Sequence, residues 1–177
     1  MREDVQRVLD EYKIKTFGNK KDLARAEELL DPDETVLFAS PSNVVITHAN
    51  TRKRGTFPGV VFLTDKRFLF SYKVLSNFSV ENVSLNEIQS VDCSGNGLTG
   101  SSIGVHTLTK SFSVMVTYKR EIAQKILKVF EDAKNSVSTI ATPASAADEI
   151  LKYKNLLDCG AITETEFEAK KKQLLGI

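Results

Sequence analysis

The sequence predicts an α+β fold: N-terminal helices, an antiparallel β-barrel capped by a helix that follows it, and a small helical hairpin at the C-terminal end. Three observations predict it. From Glu34 to Val116, short runs rich in Val, Phe, Ile and Thr recur between turn residues, the spacing of a small barrel or sandwich. This β-region is flanked on both sides by segments whose apolar residues repeat at helical period. The segment NSVSTIATPASAA, punctuated by Pro143, then reads as a linker to a last pair of helices.

Val5, Val8, Leu9 and Tyr12 fall on one face of a short amphipathic helix, which Gly18 and Asn19 interrupt. KKDLARAEELL follows, with Leu23, Ala26, Glu27 and Leu30 on successive turns. Asp31-Pro32 stops it, because proline cannot continue the hydrogen-bond ladder. VLFAS and NVVITH are strand-like pieces around Pro41, read as a kinked or edge strand. THANTRKRGTFPG reads as a polar, basic loop shaped by Gly55 and Pro58. GVVFLT and RFLFSYK flank Asp65-Lys66 as two strands flank a tight turn. FSVENVSL, IQSVDCS, SIGVHTL and KSFSVMV supply further strands. KREIAQKILKVFEDAK, with Ile122, Ile126, Val129 and Phe130 on one face, reads as the closing helix. The expected organisation is therefore a helical segment at 1–30, a β-domain at 31–134, a linker at 135–146 and a helical hairpin at 147–177.

Composition narrows the function classes. With 177 residues, 41% of them hydrophobic, the chain can build one principal domain with small attachments. A formal net charge of +1 gives no global basic field, so nucleic acid is not an expected partner and any charge-based function is local. MREDVQRVLDEYK lacks the apolar core of a signal peptide and no run is long enough to span a membrane, so a cytoplasmic protein is expected. Cys93 and Cys159 are far apart and belong to no Cys/His cluster; no metal, no disulfide and no cofactor are expected, and both thiols are read as idle. His48 and His106 lie in or beside strands without a nucleophile or ligand partner at motif spacing. No catalytic residue is assigned, and the chain is not expected to be an enzyme.

One stretch tests that exclusion. In SGNGLTGSSIG, from Ser94 to Gly104, Gly95, Gly97 and Gly100 have the spacing of a dinucleotide-binding fingerprint. The fingerprint works through the helix that follows it, whose free N–H groups and dipole meet the pyrophosphate. Here Ile103, Val105 and Thr107 alternate with small or polar residues, which predicts a strand. The glycines are therefore expected to let two antiparallel strands turn or bulge.

The last segment carries the sharpest local signals. DEILKYKNLLDCGAITETEFEAKKKQLLGI divides at Gly160, a natural left-handed residue just past a helix end. Ile150, Tyr153 and Leu157 share a face of the first helix. Thr163 is an N-cap for the second, Glu166 completes a capping box, and Ile162 with Phe167 occupies the staple positions. A hairpin of this length buries too little apolar surface to offset its own ordering, so it must dock on the β-domain or on another chain. Self-association or partner docking is favoured, through Ile150, Tyr153, Leu157, Ile162, Phe167 and Leu174.

Two resemblances cover much of the chain. From about Glu34 to Lys134, the order of strands followed by one helix resembles a pleckstrin-homology-like domain. GVVFLTDKRFLFSYK is similar to a strand pair of its bacterial YokE-like group, and ENVSLNEIQSVDCS to the next segment. From Ala147 to Leu175, LLDCGAITETEFEAKKKQLL resembles the SHOCT module, a short C-terminal domain. The resemblance implies a non-enzymatic scaffold, since such β-domains bind lipid head groups, peptides or proteins and the short module is regarded as an interaction or oligomerisation element. A protein partner, and a homo-oligomer first of all, is therefore expected. In relatives that bind phosphoinositides, basic residues in and around the first strand-connecting loop hold the phosphates, which points to Arg52, Lys53 and Arg54. Cations near an anionic membrane contribute about 1 kcal/mol each, so this patch gives at most a weak lipid-binding surface unless an oligomer repeats it. Peripheral attachment to acidic lipid is the alternative function.

Overall fold

A computed structural model describes residues 1–51, 53–74, 77–96, 100–117, 119–139, 150, 153–154, 157 and 163–175. The chain divides into two compact units, Met1–Ser138 and Thr139–Ile177. The first opens with helices α1 (Glu3–Glu11) and α2 (Lys20–Glu27). Seven strands follow: β1 (Val36–His48), β2 (Arg54–Thr64), β3 (Arg67–Val74), β4 (Asn77–Ser84), β5 (Ser90–Asn96), β6 (Gly100–His106) and β7 (Lys110–Thr117). The closing helix expected from Lys119 is α3 (Arg120–Thr139).

The strands form one antiparallel sheet in the order β4-β3-β2-β1-β7-β6-β5. The long β1 stands at its centre and serves both halves. Its ladder with β2 spans Val36 to Thr47, while its ladder with β7 begins only at Val44. Pro41 therefore sits inside a central strand, at a level where the β7 side of β1 carries no ladder. That placement makes it an edge position locally, the one environment a strand proline tolerates.

The sheet curves around a core closed by α3. Phe130 of α3 meets Phe38 of β1 edge to face, with ring centroids 5.5 Å apart, and lies 6.4 Å from Phe68 of β3. Phe68 in turn lies 5.2 Å from Phe112 of β7. The helices α1 and α2 pack against β1 and β2 and join the same apolar cluster through Val5, Val8, Leu9, Leu23 and Ala26. Their cover explains a feature of the sequence. Val60 to Leu63 and Phe68 to Phe70 are buried without alternation, as in a sheet covered on both faces. In β7, by contrast, Phe112 and Val114 are buried at alternate positions.

Polar contacts fix where the N-terminal helices attach. The Asp4 carboxylate accepts hydrogen bonds from the N–H of Val36 at 2.9 Å and of Val5 at 3.0 Å, and pairs with the Arg2 guanidinium at 3.1 Å. Arg2 also donates to the carbonyl oxygens of Asp31 and Glu34. Burial alone would raise the Asp4 pKa, but the Arg2 guanidinium and these backbone N–H groups outweigh it and hold the carboxyl below its ordinary value. A carboxyl depressed in the folded state adds stability above its unfolded pKa of about 3.9 and loses it as pH falls through the folded value. The stability difference between wild type and Asp4→Asn, read from urea midpoints, is therefore largest near neutrality and shrinks below about pH 4.

The second unit contains α4 (Glu164–Leu175), with Ile150, Tyr153, Lys154 and Leu157 helical before it. Among the described residues, no helix is long and apolar enough to cross a membrane.

Candidate functional site

The basic segment lies at the β1–β2 hairpin. The N–H of His48 donates to the carbonyl of Lys53 at 3.0 Å and Thr47 faces Arg54 in register, so the turn is confined to a few residues. The N–H of Ala49 donates to the carbonyl of Thr109 at 2.9 Å, which ties this turn to the one between β6 and β7. The longer loop expected through Gly59 is corrected here, because Gly55 and Pro58 belong to β2. Pro58 fits the strand because the β2–β3 ladder begins one residue later, at Gly59. Lys53 and Arg54 are exposed, and neither has an ion-pair partner among the described residues. Arg52 lies outside the described residues.

The TDKR turn of the β2–β3 hairpin is occupied by structure. The Thr64 hydroxyl accepts the N–H groups of Lys66 and Arg67 at 3.1 and 3.0 Å. Asp65 accepts the N–H of Thr35 at 2.9 Å, Lys66 pairs with Asp33 at 2.6 Å, and Arg67 pairs with Glu34 at 2.6 Å. These side chains thus engage the DPDET segment residue by residue, and the turn is a clamp for the chain entering β1.

In the tail, Ile150, Tyr153, Leu157, Phe167 and Leu174 are all half-buried, and Ile162 lies outside the described residues. The Lys170 ammonium stands 5.8 Å from the centre of the Tyr153 ring, bringing α4 beside the first helical segment. The capping box is present. Glu166 accepts both the N–H and the hydroxyl of Thr163 at 2.8 Å, and the N–H of Glu166 lies 3.4 Å from that hydroxyl. The bonds from the Thr163 backbone and hydroxyl lower the Glu166 pKa.

The glycine stretch forms strands. β5 and β6 pair antiparallel with Asn96 opposite Gly100, and Gly95 and Gly100 have φ of 112° and 87°. A strand follows, not a helix, so the pyrophosphate cradle is missing its main part. Gly97 lies outside the described residues.

The register also assembles a cluster that the sequence did not reveal. His106 lies with Nε2 2.5 Å from Asp92 Oδ2 and Nδ1 2.9 Å from Ser111 Oγ. A Cβ on Gly104 would stand 2.7 Å from Asp92 Oδ1 and 2.8 Å from His106 Nε2, so the glycine makes room for the contact. The order of contacts is that of a Ser-His-Asp triad, but the Asp92 side chain is 56% exposed and the cluster lies on the outer face of the sheet. A triad depends on a buried carboxylate and on donors for the developing oxyanion. This cluster acts as a cross-strand polar clasp. Neighbouring Cys93 is exposed and free; partial desolvation and the Asp92 carboxylate push its thiol pKa up, so it stays protonated near neutral pH. Among the described residues, no group of acidic, Cys and His side chains is arranged to hold a metal ion. Cys159 lies outside the described residues.

A seven-stranded antiparallel sheet closed by the helix that follows it defines a domain of the pleckstrin-homology-like class. The chain belongs to the bacterial PH domain family, whose description matches residues 30–132, and residues 148–175 match the Short C-terminal domain. No curated protein matches the chain. Similar solved structures include the Vps36 N-terminal PH domain, at 17% identity over 63% of this chain and 86% of that one, with a TM-score of 0.42. Another is the C-terminal domain of an unknown protein from Leishmania infantum, at 16% identity over 63% and 94%, with a TM-score of 0.38. Domains of the two matched families are generally non-catalytic, and together they suggest a binding or scaffold role.

Proposed function

We propose that this protein is a non-enzymatic cytoplasmic scaffold that self-associates through its C-terminal hairpin and engages a protein, peptide or anionic surface through its PH-like domain. The observation that carries the reading is the state of the tail. It is a compact unit of its own with a capped α4, and Ile150, Tyr153, Leu157, Phe167 and Leu174 in it are only half-buried. Helices that leave Tyr153, Leu157, Phe167 and Leu174 half-covered hold apolar surface in reserve for a partner.

Size exclusion coupled to light scattering tests it, on the full chain and on a version ending at Asn135, over a range of concentrations. The full chain is expected to be oligomeric and the shortened one monomeric. Phe167→Asp, which places a charge on the same face, is expected to have the same effect in the full-length protein. An unchanged mass in both variants overturns the assembly role.

A second reading rests on the exposed Lys53 and Arg54 at the β1–β2 turn. Together with Arg52 of the same sequence run, they would hold acidic lipid head groups, with peripheral attachment to the membrane. Charge reversal at the three positions is expected to abolish binding to anionic vesicles.

A further inference from the structure

From the geometry of the α1–α2 connection we infer a second, independent surface: residues 13–21 form a docking loop for an anionic lipid membrane. The segment reads KIKTFGNKK, with four lysines and no acidic residue between Glu11 and Asp22. Lys13, Lys15, Lys20 and Lys21 are all exposed, and none has an ion-pair partner among the described residues. At the tip stands Phe17, 96% exposed.

The tip is built, not frayed. The N–H of Asn19 donates to the carbonyl of Thr16 at 2.9 Å, closing a turn in which Gly18 holds φ of 83° at the third position. That is the left-handed conformation a type II turn requires there, and it leaves Phe17 at the outer corner. On the near side, the N–H of Ile14 donates to the carbonyl of Leu9 at 2.8 Å, ending α1 with Lys13 at φ 54°. On the far side, the N–H of Leu23 donates to the carbonyl of Asn19 at 2.9 Å and starts α2. Phe17 is thus presented by backbone bonds at both ends of the loop.

A neighbouring feature extends the surface. Asn19, Asp22 and Arg25 line a groove of about 240 Å³ with Gly59, Lys73 and Phe78. Phe78 is 49% exposed, and its ring lies 4.2 Å from the Arg25 guanidinium and 5.6 Å from the Lys73 ammonium. Phe78 thus adds a second exposed ring next to the loop, flanked by Lys73 and by Arg25, which also pairs with Asp22 at 3.7 Å.

The chemistry selects the occupant. Protein interfaces place their apolar residues in a contiguous core from which lysine is depleted, whereas here an isolated projecting ring is surrounded by lysines. At a membrane the same arrangement is favourable, since the ring enters the headgroup region while the ammonium groups meet anionic lipid. The reading does not rest on assembly of the tail, and it uses none of residues 52–54.

The full chain contains no tryptophan, so Phe17→Trp supplies a single reporter. Its emission is expected to shift to the blue on adding vesicles of phosphatidylcholine with phosphatidylserine, and not with phosphatidylcholine alone. In sedimentation with the mixed vesicles, replacing Lys20 and Lys21 together by serine is expected to weaken binding about 25-fold, about fivefold per lysine. Phe17→Ser is expected to weaken it at least about fivefold. These side chains are exposed, so unchanged thermal melts separate loss of binding from loss of fold. An unshifted emission, or binding that survives the lysine and Phe17 changes but disappears with charge reversal at Lys53 and Arg54, overturns the proposal and leaves the β1–β2 reading standing. Equal binding to neutral vesicles, or preference for a single-stranded oligonucleotide over vesicles at the same salt, overturns it as well.

Discussion

Arg67→Ala lowers the free energy of unfolding by about 3–5 kcal/mol, the range for a buried ion pair that loses one member. The Glu34 side chain is fully buried and that of Arg67 is 18% exposed. The guanidinium meets the carboxylate at two points, Nε to Oε1 at 2.6 Å and Nη2 to Oε2 at 3.2 Å, and it also donates to the carbonyl of Leu29 at 3.0 Å. Among the described residues, removing it leaves a carboxylate away from water with the backbone N–H of Asp31, at 3.3 Å, as its hydrogen-bond donor. The Asp31 and Leu29 segment loses one of its anchors in the same step, keeping the bond from Arg2 to the Asp31 carbonyl. Arg67→Lys keeps the charge but loses the fork, so it is expected to recover part of the loss. Replacing both residues by apolar ones of similar volume is expected to be far milder than either single change. Urea unfolding of the four proteins checks this. A loss below about 1 kcal/mol for Arg67→Ala would place the pair with ordinary surface salt bridges.

This pair shows where the sequence stops being legible. LTDKRFLF could be read as a hairpin turn because Asp-Lys interrupts two apolar runs. The partners of its side chains could not, since Asp33 and Glu34 lie 33 residues away from Lys66 and Arg67 and meet them only when β1 and β3 flank β2. The capping box at Thr163 was legible for the opposite reason: its partners are three residues apart. The strand assigned after the glycine stretch rested on local alternation and stands as β6.

The stretch around Gly55 and Pro58 reads as a loop in the sequence and is strand in the fold, because glycine and proline are turn signals when taken alone. The cost of a strand proline depends on where the neighbouring ladder ends, and strand stagger is set by the whole sheet. The contact of His106 with Ser111 had a faint signal, since a four-residue turn from Thr107 to Lys110 places them opposite each other. Its central residues are Leu108 and Thr109, however, and not the Gly or Asn that mark such turns. For the proposed assembly and lipid-binding residues, the sequence offers side-chain type and order along the chain, which set chemistry but not a partner.

Phe130→Ala is the second large effect, expected to remove about 3–5 kcal/mol. Phe130 is fully buried, and its ring packs with the rings of Phe38 on β1 and Phe68 on β3. Such aromatic pairs add about 0.5–1.5 kcal/mol beyond the area they bury. The other buried residues of α3 are Ala123, Ile126 and Ala133, two of which bring the helix close to the sheet but fill little volume. Phe130 is therefore the main wedge between α3 and the sheet, and a methyl group in its place leaves a cavity that the flanking phenylalanines cannot close without leaving their own contacts. The loss should not be uniform. Amides of α3 are expected to lose hydrogen-exchange protection first, while those of β1 and β2, held by ladders on both sides, keep theirs until global unfolding. Phe130→Leu, which refills part of the space, is expected to cost less than half as much. A small loss for alanine, below about 1.5 kcal/mol, would mean that Ile126 holds the helix, and Ile126→Ala would then show the larger effect.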